Sequence, residues 1–138
     1  MQIQELKNLV YEVVGAAMEV HKELKKGLLE AVYNEALCME LEKRGIACES
    51  EKELPIFYKG QLMQKRYRMD IVCSDIIIEL KSADTILPEH RFQLFNYLRI
   101  AKKPVGLLIN FGEDYLHFEK YFFDIPNNEI YLFNDVCN

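Results

Sequence analysis

The chain has 138 residues, half of them hydrophobic and 28% charged, with a net charge of −5. That length and balance fit one folded domain with a real core and exclude a low-complexity or disordered chain. No apolar run reaches the roughly 20 residues of a membrane-spanning helix, and the acidic balance argues against a protein that binds nucleic acid over its whole surface.

The N-terminal stretch MQIQELKNLVYEVV lacks a basic start followed by an apolar block, so it does not read as a signal peptide and a cytoplasmic location is expected. Residues 3 to 25 predict an amphipathic helix, with Leu6, Val10, Val13, Val14, Ala17, His21 and Leu24 at spacings of three and four. His21 lies on that stripe and reads as a packed histidine rather than a ligand. Gly27 is expected to end the helix. A second helix is expected from about Leu28 to Arg44, stopping at Gly45. Glu30 stands near its start, where the helix dipole favours a carboxylate. Glu30 and Tyr33, three apart, share a side and would face the strands that follow.

Ile46 to Tyr58 suggests a strand in which Pro55 suits a sheet edge. Lys59-Gly60 makes a turn, and Gln61 to Lys65 leads into the central stretch, RYRMDIVCSDIIIELK, from Arg66 to Lys81. This reads as two β-strands joined at Ser74-Asp75. If the hairpin is centred between those two residues, Asp70 lies opposite Glu79. Alternation then puts Lys81 on the Glu79 face and turns Ile78 and Leu80 the other way. Two carboxylates about 5 Å apart on facing strands repel, by roughly 3 kcal/mol at an effective dielectric near 20. A divalent cation would convert that repulsion into ligation, and a hard ion such as Mg²⁺ takes carboxylate oxygens while keeping waters. The structural alternatives are a strand-end Asp70 with solvated neighbours, or a buried Glu79–Lys81 ion pair.

From Pro88 the chain turns helical, Leu87, Arg91, Leu94, Phe95 and Leu98 expected to form the buried stripe, with Gln93 and Tyr97 at i and i+4 on an adjacent face. PVGLLINF, Pro104 to Phe111, predicts a strand buried on both faces. Phe118 to Phe123 and Glu129 to Phe133 predict two more, with a turn at Pro126-Asn127-Asn128. The order ααβββαβββ makes one α/β or α+β domain over residues 1–138, with a mixed β-sheet flanked by helices.

The four cysteines, Cys38, Cys48, Cys73 and Cys137, form no CxxC pair and with three histidines complete no zinc pattern, so reduced thiols are expected. Lys59, Lys65, Arg66 and Arg68 make a local basic cluster flanking the Asp70–Glu79 face, whereas Arg99, Lys102 and Lys103 suit a helix C-terminus. Tyr115, Tyr121 and Tyr131 are candidates for a dimer surface or for core.

These blocks resemble the GxxExxY proteins. GLLEAVY at Gly27 to Tyr33 matches the motif that names them, followed by ELEKRGI, YRMDIV, IIELKS, QLFNYL and GLLINFG in order, over roughly residues 10 to 112. The family is placed in the PD-(D/E)xK nuclease-like superfamily. The resemblance implies a restriction-endonuclease-like core and a magnesium (or manganese) site on the hairpin. It gives Asp70 and Glu79 as metal ligands, Lys81 as the motif lysine, and Glu30 as a further acidic ligand, direct or through water. It adds the Leu80 carbonyl as a ligand, Gln93 as the helical glutamine facing the site, and Tyr33 and Tyr97 in support. Met69 stands where the motif has proline. The implied activity is hydrolysis of phosphodiesters in DNA or RNA, with nucleic acid as substrate and a homodimer or protein partner to help hold it. The alternative is a non-catalytic binding or regulatory module that keeps the nuclease fold.

Overall fold

The computed structural model describes residues 1–135; the expectation for Cys137 lies outside the described residues. The elements are α1 (Ile3–Leu24), α2 (Glu30–Lys43), β1 (Glu49–Tyr58), β2 (Gln61–Cys73), β3 (Ile76–Lys81), α3 (Pro88–Ala101), β4 (Val105–Asn110), β5 (His117–Asp124) and β6 (Glu129–Leu132), followed by a 3₁₀ turn at Phe133–Asp135. The expected order of helices and strands is the observed one. The strands form one six-stranded mixed sheet in the order β1-β2-β3-β4-β5-β6. Only β3 and β4 run parallel, and their crossover is α3.

Two cores sandwich this sheet. On one face α1 and α2 bury Leu6, Val10, Val13, Ala17, Tyr33, Leu37 and Leu41 against Ile71, Ile76, Ile78, Leu80, Leu107 and Ile109. On the other, Leu94, Tyr97 and Leu98 of α3 pack on Leu54, Met69, Val72, Ile77, Leu108, Tyr121 and Phe123. β4 is buried along its whole length, as its unbroken apolar run predicts. A Cβ on Gly106 would come within 3.0 Å of the Leu94 and Leu98 methyls, so the missing side chain lets α3 lie close.

Helix ends show where local signals were overridden. α1 stops at Leu24, not at Gly27; Lys25 caps it with a positive φ of 61°, its N–H bonding the His21 carbonyl at 2.9 Å. Gly45, at φ 76°, follows the end of α2 as expected, and α3 begins at Pro88. His21 is packed, its Nε2 bonded to the Glu113 carbonyl at 2.9 Å. Of the three C-terminal tyrosines, Tyr121 is core while Tyr115 and Tyr131 are exposed. No described helix is long and apolar enough to cross a membrane.

Candidate functional site

The β2–β3 hairpin turns at Ser74 (φ 51°) and Asp75, and its ladder pairs Cys73 with Ile76, Val72 with Ile77 and Ile71 with Ile78. This is the register read from the sequence, and its next step sets Asp70 against Glu79. There the ladder pairing ends. The Asp70 N–H donates to Glu79 Oε1 (3.2 Å), and the Leu80 N–H donates to Asp70 Oδ2 (2.8 Å). Each carboxylate thus occupies a backbone group of the facing strand, and side-chain bonds replace ladder pairing beyond Ile71–Ile78.

β2 also loses its alternation here. Ile71 and Cys73 pack toward α1 and α2, and Val72 toward α3. Met69 packs toward α3 as well, three residues from Val72 where alternation allows two or four. The break falls at Asp70. Across from it on β1, between the pairs Ser50–Ile71 and Lys52–Met69, Glu51 sits at φ 55°. Asn34 of α2 steadies the break: its Nδ2 donates to the Asp70 carbonyl (3.1 Å) and its Oδ1 accepts from the Ser50 hydroxyl (2.6 Å).

Glu79 is almost wholly buried, 3% exposed. Burial, with the Asp70 charge beside it, pushes its carboxyl up to about 8. Burial also raises Asp70, and Glu51 and Glu30 add to this while the Leu80 N–H and Lys81 oppose it. Glu30, the first residue of α2, is exposed but within electrostatic reach of both. Lys81 is half-buried on the Glu79 face and makes no ion pair among the described residues. The alternative of a structural Glu79–Lys81 pair therefore has no contact to rest on.

On α3, Gln93 Nε2 donates to the Tyr97 hydroxyl at 2.8 Å. Burial and then the negative charge of Glu79 raise Tyr97 to about 12, so this helix face overlooks the carboxylates. Tyr33 packs in the core that α2 forms with β2 and β3, alongside Ile78 and Leu80. Its ring stacks on Phe111 with centroids 4.5 Å apart, and its hydroxyl donates to the Lys25 carbonyl and accepts from the Leu28 N–H. It clamps the α1–α2 connection, and Asn34 is the α2 residue that reaches the hairpin with Glu30.

Beyond Lys81 the chain is pinned to β4. Asn110, fully buried and registered with Lys81, accepts from the Ala83 N–H (3.0 Å) and donates to the Ala83 carbonyl (2.9 Å) and to Glu113 (2.8 Å). A Cβ on Gly112 would fall 2.3 Å from the Ala83 carbonyl oxygen, so glycine is required there.

Among the described residues, no three carboxylate, imidazole or thiol groups converge closely enough to hold a metal ion alone. What the hairpin offers is two facing carboxylates, Asp70 and Glu79, with the Leu80 peptide between them. These hard oxygen donors suit a cation that retains water. Burial first, and then the Asp70 charge, raise Glu79 to about 8; a cation at this point would offset both by favouring the ionised form. Glu51 and Asn34 escaped sequence reasoning. Counting from the Tyr58–Gln61 pair puts Glu49 opposite Asp70, but an irregularity between Pro55 and Phe57 shifts β1 by two and brings Glu51 there.

A family model described as the PD-(D/E)XK nuclease superfamily matches residues 7–121. The crystal structure of SSO0001 is similar in fold, with a TM-score of 0.54 at 22% identity over 65% of this chain and 48% of that one. This chain thus spans about half of that one. No curated protein matches.

Proposed function

The chain belongs to the PD-(D/E)XK nuclease superfamily, and from that premise we propose that it is a divalent-metal-dependent nuclease hydrolysing phosphodiesters of DNA or RNA. The observation that carries this reading is the Asp70–Glu79 pair on facing strands, with Lys81 beside it on the same face and without an ion partner among the described residues. Asp70, Glu79 and the Leu80 carbonyl would hold Mg²⁺ or Mn²⁺, with Glu30 reaching the ion through water. The bound ion would supply Lewis-acid stabilisation of the phosphate and a more acidic water. Lys81 positions the attacking water and neutralises charge that develops on the phosphate oxygens. Gln93, braced by Tyr97, orients substrate or water from the α3 side. Tyr33 supports the site by holding the α1–α2 connection ahead of Glu30 and by stacking on Phe111, whose N–H donates to the Lys81 carbonyl.

The GxxExxY assignment belongs to the same proposal and rests on Gly27 to Tyr33. So does a single domain over residues 1–138, supported by the one continuous sheet. A cytoplasmic setting is supported by the free thiols Cys38 and Cys73, held protonated by burial.

The test is cleavage of single- and double-stranded DNA and RNA with Mg²⁺ or Mn²⁺ by the wild type, Asp70→Asn and Lys81→Ala. Metal-dependent cleavage lost in both variants, at unchanged melting temperature in chelator, is the expected result. Full activity in either variant removes the reading. Metal-dependent stabilisation without turnover on any substrate replaces it with the binding-module alternative.

A further inference from the structure

Residues 54–68 carry four cations, Lys59, Lys65, Arg66 and Arg68, and no carboxylate, leaving −9 on the remaining residues of a chain whose total is −5. They form the outer part of the β1–β2 ribbon, where only Leu54 is buried and Ile56 half-buried. Glu53 engages Arg66 at 3.1 Å. Lys65 and Arg68 have no ion partner among the described residues, and Lys59 lies over the Tyr58 ring at 5.5 Å. The ribbon also exposes aromatic surface without a covering element: Phe57 is 61% and Tyr58 64% accessible. A folding optimum would not place free cations and bare aromatics together on a two-stranded projection. The combination is what a polyanion with accessible ring faces requires. Cations meet the phosphates, and aromatic rings stack on bases. Duplex bases are already stacked on each other, so ring stacking favours an unpaired strand.

The ribbon also leads to the carboxylates. β2 runs without interruption from Lys65 through Tyr67 to Asp70, and the Tyr67 ring meets Tyr97, which overlooks Glu79, at 5.3 Å between centroids. Resting on the nuclease reading of that site, we infer that the β1–β2 ribbon is the substrate-gripping arm and that its ligand is single-stranded nucleic acid. Lys65 and Arg68 hold phosphates, and the exposed rings of Phe57 and Tyr58, on opposite faces of the ribbon by strand alternation, each offer a stacking surface to a base beyond the bond presented to Asp70.

Binding is measured apart from cleavage, in chelator, by fluorescence anisotropy. The probes are a labelled oligothymidylate of about 20 nucleotides, long enough to cover an extended groove, and the same strand annealed to its complement. The wild type should prefer the single strand. Lys65→Ala with Arg68→Ala should weaken it at least tenfold and lower the slope of log affinity against log salt by about 0.7 per lost phosphate contact. Phe57→Ala with Tyr58→Ala, a second pair at exposed positions, should weaken it by about tenfold with less change in salt slope. Asp70→Asn touches no ribbon residue and removes a carboxylate that repels phosphate in chelator, so it should bind at least as tightly as the wild type, and loss of cleavage there reports on the nuclease reading alone. Wild-type affinity in both ribbon variants, a preference for duplex, or no binding by the wild type overturns the inference. So does altered sedimentation in the variants at unchanged oligonucleotide affinity, which would make the ribbon a protein–protein surface.

Discussion

Glu79 carries a carboxyl raised from its ordinary 4.5 to about 8, mainly by burial. A carboxyl whose folded value lies above its unfolded one stabilises the fold fully below the unfolded value. That contribution is lost as pH rises through the folded value. In chelator the melting temperature should therefore fall between pH 4.5 and about 8, and Glu79→Gln should flatten that part of the profile. A cation needs the ionised form, so Mg²⁺ or Mn²⁺ should raise the wild-type midpoint more toward the upper end of that window than the lower. The Asp70→Asn midpoint should not respond to the metal; an equal rise in that variant would place the cation elsewhere. Asn34, nearly buried and bonded to the Asp70 carbonyl and the Ser50 hydroxyl, is the residue that holds the break in β2. Asn34→Ala should cost about 1–3 kcal/mol in a urea melt, the range for leaving buried partners unsatisfied. It should lower cleavage more than its stability loss accounts for, because it frees the peptide that carries Asp70.

At the scale of elements, the hairpin was legible because a two-residue connection fixes its register, and alternation then assigns the faces of Glu79 and Lys81 without further information. β4 was legible from an unbroken apolar run, and α3 from Pro88 and its periodicity. Glu51 was hidden because the register slip that brings it opposite Asp70 leaves no mark in composition. The partner of Tyr33 was hidden for a related reason. Helical spacing says which residues share a side with Glu30, but the Phe111 ring that draws Tyr33 inward comes from β4's far end, distant in the chain. The connection after β3 yields a sharper expectation. A methyl at Gly112 meets backbone, not a movable side chain. Gly112→Ala should thus cost about 1–3 kcal/mol or more, as overpacking does. Protease should then cut first in the 82–87 connection, which digestion followed by mass spectrometry would locate.

For the molecule as a whole, every strand pairs with its chain neighbour, and the β3–α3–β4 crossover is the one long connection in the sheet. The site straddles that crossover: its carboxylates come before it, and Gln93 and Tyr97 lie within it. Asp70 and Glu79 are only nine residues apart, so closing the loop that joins them costs little chain entropy. During synthesis the pair can meet as soon as Lys81 has emerged, while both carboxylates are still wet and freely charged. The part of Glu79's desolvation that α3 supplies has to wait for residues 88–101, which follow the hairpin in the chain. Chain order thus lets the hairpin close before α3 exists to cover it, and if the proposed metal site forms there, that sequence has a consequence for loading. A cation captured at the first stage would be carried into the finished protein, and one added afterwards would have to enter past α3. Refolding in the presence of Mn²⁺ should accordingly load the site faster than adding Mn²⁺ to the folded, metal-free protein.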